Sequence, residues 1–406
     1  MNELLLALDL GTTTLAGRLL DAQGQMLAEG KVVNPQRVLG ADIIRRLEAA
    51  LAGEGERLQA LLVEGIAALL DDLLHAAGAR RQQIAAAALA ANPGVTALLC
   101  GDDVHPILFP PHRPQNLALR SLDLPALSLP VPLSVFPFLS GYVGGDLIAF
   151  LYGLAPAADR TLCIDLGTNG EIAISSAAGW LATSVPAGPA FEGGEISCGQ
   201  VAAVGAISNI TRVGDRLQCE VIGGGPPTGL AGSGLFALIA VAIETGLIDQ
   251  SGRIVAAVEV ESNLSRYLRP DGSAHVLSLY RDATREIIVT QADIRAFQLA
   301  KGAVRAGIDA LLARADVVAA SVEQVIVTGA FGLALDRQRL KNVAILPAVM
   351  VEKALFVPGG ALAGVQRFLL QTDGCEQLQA LTEKMRSYPL SGTPAFERAF
   401  LAALNF

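Results

Sequence analysis

An α/β protein built as two related lobes is predicted by three features of the sequence. The chain is 406 residues long, more than one ordinary core usually holds and well suited to two domains. One short pattern occurs twice, as LALDLGTTTLAGRLLD at residues 6–21 and as LCIDLGTNGEIAIS at 162–175. The second half alternates strand-like and helix-like segments, the mark of an α/β arrangement.

The repeat carries most weight. Each copy runs as an apolar strand to an aspartate, turns through Gly-Thr and re-enters an apolar stretch that reads as a second strand. Asp9 and Asp165 are 156 positions apart, too far for a solenoid repeat and suitable for a duplicated domain. Between the copies, 41–91 reads as mostly helical, with Ile43, Ile44, Leu47 and Leu51 followed by Leu61, Ile66, Leu69, Leu70, Leu73 and Leu74. Residues 105–137 hold eight of the twenty prolines, so this stretch is expected as extended loop over the first lobe. Residues 138–154 read as a loop leading into a helix. The lobes are expected to be 1–157 and 158–406, with the C-terminal helix a candidate to pack back on the first. In the second lobe, Leu235 to Ile243 and Gln291 to Leu312 read as helices and Gln324 to Thr328 as a buried strand.

Composition narrows the function. Hydrophobic residues make up 52% and charged residues only 17%, enough apolar surface for a large core and unlike a disordered chain. The longest apolar run without a break is far short of the roughly 20 residues of a spanning helix. The start lacks a basic stretch and carries Glu3 and Asp9, which argues against a signal peptide; a cytoplasmic protein is expected. A net charge of −9 disfavours nucleic acid, whose phosphates require clustered Lys and Arg. The five cysteines are scattered singly, without the spacing of an iron–sulfur or zinc site.

Each aspartate–glycine–threonine loop has the chemistry of a phosphate grip. Glycine permits a tight turn and lets backbone N–H groups approach an anion. In the first loop Gly11, Thr12, Thr13 and Thr14 supply amides and hydroxyls. In the second the same part falls to Gly167, Thr168, Asn169 and Gly170. Asp9 and Asp165 are the candidates to hold a hydrated Mg²⁺ bridging phosphate oxygens, since that ion takes oxygen ligands and keeps several waters. A single such motif is better explained as a plain hairpin turn; two copies in the two halves make ATP and Mg²⁺ the expected ligands.

Further glycine clusters fit the same ligand. Gly232-Ser233-Gly234 opens a helix, where N-terminal amides meet phosphate or ribose. Gly329-Ala330-Phe331-Gly332 follows the buried strand and could border an adenosine. Gly144-Gly145-Asp146 sits at a helix start and adds Asp146. Helix capping explains Gly232 and Asp146 about as well. In the loop at 188–199, Glu192 or Glu195 could orient an attacking water, with Glu192 preferred; Cys198 reads as a small buried residue, not a nucleophile.

With those motifs in hand, the chain resembles the sugar kinase, heat-shock ATPase and actin superfamily, and within it the ATPase portion of the reductive activators of corrinoid proteins. The resemblance runs almost end to end through DLGTTT, NPQ…GADIIRR at 34–46, LSGYVGGD at 139–146, DLGTNGEIA, PAGPAFEGGEISCG, GLAGSGL, TQADIRAFQLAKGAVRAGI at 290–308, VTGAFG, GGALAGV at 359–365 and the closing LSGTPAFERAFLAALNF. It implies a two-lobed actin-like (ribonuclease H-like) duplicated fold with a nucleotide cleft between lobes. The implied activity is an ATPase that couples lobe closure to returning a corrinoid protein's Co(II) to Co(I). In that family electrons pass through a plant-type [2Fe–2S] domain ahead of the ATPase. Here the residues start at the first phosphate strand, and the expected donor is a separate ferredoxin-like protein. One local departure lies at Ala91-Asn92-Pro93-Gly94-Val95-Thr96, where the family favours a Gly-Asn-Thr-Thr turn, and no role is assigned to it. A homodimer is a further expectation. The alternatives are a small-molecule kinase of the superfamily and a nucleotide-gated scaffold for a metalloprotein.

Overall fold

The computed structural model describes residues 3–115, 117–154, 158–329, 336–390 and 392–406. Its contacts divide the chain into two compact units. The first comprises 1–157, 178–180 and 359–387; the second comprises 158–177, 181–358 and 388–406.

The first unit is built on a mixed sheet. Its central strand, Leu4–Leu10, is buried on both faces, and six of its seven residues are aliphatic, as a strand covered on both sides must be. It runs antiparallel to Thr14–Asp21, which pairs in turn with Met26–Val33. On its other side it runs parallel to Ile84–Ala91, which is followed by Leu133–Val135 and Arg120–Leu122. The helix Gly55–Ala77 lays Leu58, Leu62, Ile66, Leu69, Leu70 and Leu73 into the core, and Leu69 and Leu73 press on Gly17 and Gly30 of the outer strands.

Two sequence expectations are corrected here. The span 41–91 holds the helices Ile43–Ala49 and Gly55–Ala77, but its end, Ile84–Ala91, is a strand. Alanine favours helix by intrinsic propensity; burial in a parallel pairing overrides that preference. The proline-rich stretch is not loop throughout. It contributes Arg120–Leu122 and Leu133–Val135 to the sheet, and these short strands fit between prolines, which cannot donate to a ladder.

A second helix pair fixes the far side of this unit. Gly145–Gly153 packs on Gly360–Leu370 at backbone distance, because Gly364 has no side chain: a Cβ there would lie 1.6 Å from the Ala149 carbonyl oxygen. Gly153 faces the same residue, with its own ideal Cβ 3.1 Å from the Gly364 Cα. The GGALAGV segment is thus a close-packing device. It holds the helix whose first turn carries Asp146.

The second unit repeats the first's strand plan. Thr161–Leu166 runs antiparallel to Gly170–Ser176, next to which lies Gly179–Val185. Its other neighbour, Gln324–Gly329, is parallel and is followed by the parallel strand Ala354–Phe356. Hairpin on one side and parallel neighbours on the other reproduce the arrangement around Leu4–Leu10. The internal echo of the sequence is therefore a duplication of structure. The predicted helices appear as Gly232–Glu244 and Gln291–Arg314, and the predicted strand as Gln324–Gly329. The core gathers around Phe191, Phe236 and Phe297, whose rings meet at 5.6 and 5.4 Å. No helix among the described residues is long and apolar enough to cross a membrane.

Candidate phosphate-binding loops

The first loop is a tight turn between Leu4–Leu10 and Thr14–Asp21, closed by the Gly11 N–H donating to the Thr14 carbonyl at 2.9 Å. Its backbone is pinned from behind by residues far along the chain. Asn34 donates through Nδ2 to the Gly11 carbonyl at 3.0 Å and through its own N–H to the Thr13 carbonyl at 2.9 Å. Arg46, almost fully buried, donates to the Thr12 carbonyl at 2.7 Å, to the Gly40 carbonyl at 2.9 Å and to Gln36 Oε1 at 3.4 Å. Burial lowers the Arg46 guanidinium to about 10, with Asp42 opposing; the group is still a cation at neutral pH. A buried positive charge so close to a backbone turn favours an anion in front of it.

The Thr12 hydroxyl is held as well. Asn92 Nδ2 donates to Thr12 Oγ1 at 3.1 Å while Asn92 Oδ1 accepts from the Val95 N–H at 2.9 Å. Asn92 caps the helix Pro93–Cys100, with Pro93 in its first turn, a favoured N-terminal pairing. The turn that departs from the family pattern thus reaches the first loop directly.

Asp9 is the penultimate residue of the strand Leu4–Leu10, paired in register with Ala16 and Ala90, and Asp146 sits in the first turn of its helix. Both keep some open surface, yet the protein around them withholds water from the charged forms. Desolvation first, and the neighbouring Asp146 carboxylate second, push Asp9 up to about 7; Lys31 pulls the other way. Asp146 rises to about 6, chiefly by desolvation, against the Leu147 N–H that donates to it at 2.8 Å. Two carboxylates raised by shared burial and mutual repulsion form a site short of positive charge. Such a donor set fits a hydrated divalent cation of the magnesium kind, which is bound by one or two carboxylates.

The second loop is a turn one residue shorter, with the Gly167 N–H donating to the Asn169 carbonyl at 3.1 Å. Its hydroxyl is used differently. Thr168 Oγ1 donates to Glu192 Oε1 at 3.1 Å. Glu192 is half-buried whereas Glu195 is exposed, so of the two glutamates it is Glu192 that reaches the loop. The adjoining Phe191 is embedded in the aromatic core. Downstream, Asp293 accepts from the Ser197 N–H at 2.7 Å and its hydroxyl at 2.6 Å while closing the helix cap at Thr290. The Glu192 segment is therefore tied at both ends.

Other expected site residues fall around this second loop. Gly329 lies beside it in register, with Thr328 opposite Asp165 and Gly329 opposite Leu166. Its φ is +112°, and a Cβ would lie 2.2 Å from the Leu166 carbonyl and 2.7 Å from Asp165 Oδ1. Ala330, Phe331 and Gly332 lie outside the described residues. Gly232 and Gly234 pack against backbone: a Cβ would come within 1.8 Å of the Phe191 carbonyl and 2.2 Å of the Ile207 carbonyl, respectively. Ser233 donates to the Ser208 carbonyl at 2.8 Å. Gly170 is pressed by Val304 and Val185, which seats the loop on the helix Gln291–Arg314. The Cys198 thiol is pushed up to about 12 by burial, so it is not a thiolate nucleophile at neutral pH.

Sequence reasoning missed the bracing residues Asn34, Gln36, Arg46, Asn92 and Asp293. Asn92-Pro93 carries the signature of a helix cap and could have been found. Arg46 could not, since nothing local marks which lysine or arginine folds inward.

Comparison with known proteins agrees with this architecture. Residues 159–406 match the family described as the C-terminal domain of RACo, the ASKHA domain, and residues 4–155 match the RACo middle region. The fold is that of the ASKHA, actin-like ATPase class. The chain belongs to the RACo family, spanning its middle region and its ASKHA domain. It is similar to the corrinoid activation enzyme RamQ of Eubacterium limosum, at 27% identity over 99% of this chain and 70% of that protein. It is also similar to a [Co(II) methylated amine-specific corrinoid protein] reductase of Methanosarcina barkeri, at 19% identity over 99% of this chain and 76% of that protein. A solved reductive activator for corrinoid,iron-sulfur protein superposes with a TM-score of 0.90 at 29% identity. The comparison covers all of this chain and 66% of that one.

Proposed function

We propose that the protein is a Mg-ATP-dependent ATPase that drives the reductive reactivation of a corrinoid protein. The observation that carries the first half of this reading is the pair of duplicated aspartate–glycine–threonine loops, each seated at the end of a buried strand and each held rigid from behind. Preorganised amides and hydroxyls are what phosphoryl transfer chiefly requires, since positioning and charge stabilisation supply most of its rate. Asp9, with the Asp146 carboxylate beside it, and Asp165 would serve as the magnesium ligands. Gly11, Thr12, Thr13 and Thr14 hold phosphate oxygens at one loop, as do Gly167, Thr168, Asn169 and Gly170 at the other. Gly232, Ser233 and Gly234, with the segment from Gly329 to Gly332, border the nucleoside. Glu192 accepts from Thr168 and orients the attacking water. The bound metal ion supplies charge neutralisation on the phosphates.

Membership of the RACo family and the activities for which its relatives are named support the second half. Conformational change on ATP binding and hydrolysis is the work passed to the corrinoid partner, in which Co(II) is reduced to Co(I) by one electron. The electron comes from a ferredoxin-like centre outside these 406 residues.

The test combines the chain with its corrinoid partner in the Co(II) state and a low-potential reductant. Co(I) is read by absorbance and phosphate release is measured in parallel. Co(I) formation that requires hydrolysable ATP supports the reading. Phosphate appearing on a sugar or acid instead of in water makes the protein a kinase. Tight ATP binding with background release makes it a scaffold.

A further inference from the structure

We propose that Asn92 is a positioning residue that sets the hydrogen-bond polarity of Thr12, making its hydroxyl a dedicated donor to the bound nucleotide's phosphate. The assignment rests on the nucleotide reading above and deepens it. A threonine hydroxyl has one hydrogen to give and can accept from others. Which it does in a site depends on its neighbours. Asn92 Nδ2 donates to Thr12 Oγ1, so that oxygen acts as acceptor toward Asn92 and its own proton is directed elsewhere.

The direction of this bond is secured by geometry. An asparagine amide can be turned end for end, but Asn92 Oδ1 is committed to the Val95 N–H at 2.9 Å, which leaves the NH₂ end on Thr12. Asn92 itself cannot retreat. It caps the helix Pro93–Cys100, and Gly144 packs so closely that an ideal Cβ there would sit 2.7 Å from the Asn92 Cα. Thr12 is equally fixed, for its carbonyl is held by Arg46 at 2.7 Å and the residue is largely buried. With the backbone and one face of the hydroxyl engaged, the proton faces the loop, where an anionic oxygen is the complementary ligand. In the second loop the corresponding hydroxyl gives its proton to Glu192.

Asn92→Asp tests this cleanly. Aspartate caps helices as well as asparagine, so the Val95 contact and the fold survive, while Thr12 must now donate to the new carboxylate. We expect Mg-ADP and Mg-ATP to bind about 10- to 100-fold more weakly by calorimetry, the range for one hydrogen bond to a charged group. The added negative charge alone could weaken binding, and a double-mutant cycle separates the two effects. In a Thr12→Val background, with Thr12→Ala as a second choice should valine not fold, the further effect of Asn92→Asp is expected to shrink to less than about threefold. In a Thr12→Ser background, which keeps the hydroxyl, it is expected to persist. Melting curves confirm folding of each variant. A full penalty that survives loss of the hydroxyl, or no penalty in Asn92→Asp, overturns the assignment while leaving the nucleotide reading intact. Absence of nucleotide binding by the unsubstituted protein overturns that reading and this assignment together.

Discussion

The two candidate phosphate loops share a plan and differ in what stands behind them. Each follows a buried strand, turns through Gly-Thr and returns antiparallel. Behind the first stand donors: the Arg46 guanidinium and the side-chain amides of Asn34 and Asn92. Behind the second stands an acceptor, the Glu192 carboxylate. Duplication supplied two similar grips, and segments remote in sequence gave them opposite electrical character. A donor-backed loop suits phosphate oxygens. A carboxylate-backed loop suits a water whose proton must be drawn away.

The largest effect that this contrast predicts is on the rate at the second loop. Glu192→Gln keeps an oxygen for Thr168 but loses the negative charge, so phosphate release is expected to fall by about 10²- to 10⁴-fold with nucleotide affinity nearly unchanged. Steady-state kinetics separate kcat from KM; a change confined to KM would break the comparison. The next effect belongs to the first loop. Arg46→Met preserves length and strips the donors from the Thr12 and Gly40 carbonyls. Leaving buried acceptors unsatisfied costs about 1–3 kcal/mol each, so the chemical denaturation midpoint drops and affinity weakens about tenfold or more. An equal loss in kcat with affinity intact would place Arg46 in the wrong half of the scheme.

A smaller effect is expected from pH. An ordinary Asp ionises near 3.8, whereas Asp9 is raised to about 7. Between those values the folded protein holds more protons than the unfolded chain, so metal-free stability falls as pH rises from about 4 to about 7 and then levels. Asp9→Asn removes the larger part of that slope and leaves the part due to Asp146, which is raised to about 6. Urea titrations are expected to show the variant gaining more on the parent at pH 8 than at pH 5, even though it loses Mg²⁺-dependent activity. Mg²⁺ binding by the parent strengthens with pH over the same window, because the ion displaces a proton. Equal slopes in parent and variant would remove Asp9 from this account.

Much of this fold was legible in the chain. The loops announced themselves because Gly-Thr turns after apolar strands are local patterns, and because they occur twice. Gly232–Glu244 and Gln291–Arg314 were readable from apolar spacing. Ile84–Ala91 was not, since alanine contributes little to a strand's pattern and only the parallel pairing with Leu4–Leu10 makes it one. The two strands within the proline-rich stretch were hidden for the converse reason: proline excluded helix but left short extended segments open. The polarity of the loops was out of reach. It depends on contacts such as Arg46 to Thr12 and Thr168 to Glu192, separated by 34 and 24 residues, and Gly364 shows its purpose only against the Ala149 carbonyl.

The central proposal is that Mg-nucleotide binding needs both loops. Its most direct test is calorimetric titration of Mg-ATP into the parent, Asp9→Asn and Asp165→Asn proteins, each with its fold confirmed by melting. The account predicts one nucleotide per chain for the parent, with Mg²⁺-dependent affinity lost in either variant alone. Undiminished Mg²⁺-dependent binding in both variants, or two independent sites each lost in only one, would contradict it.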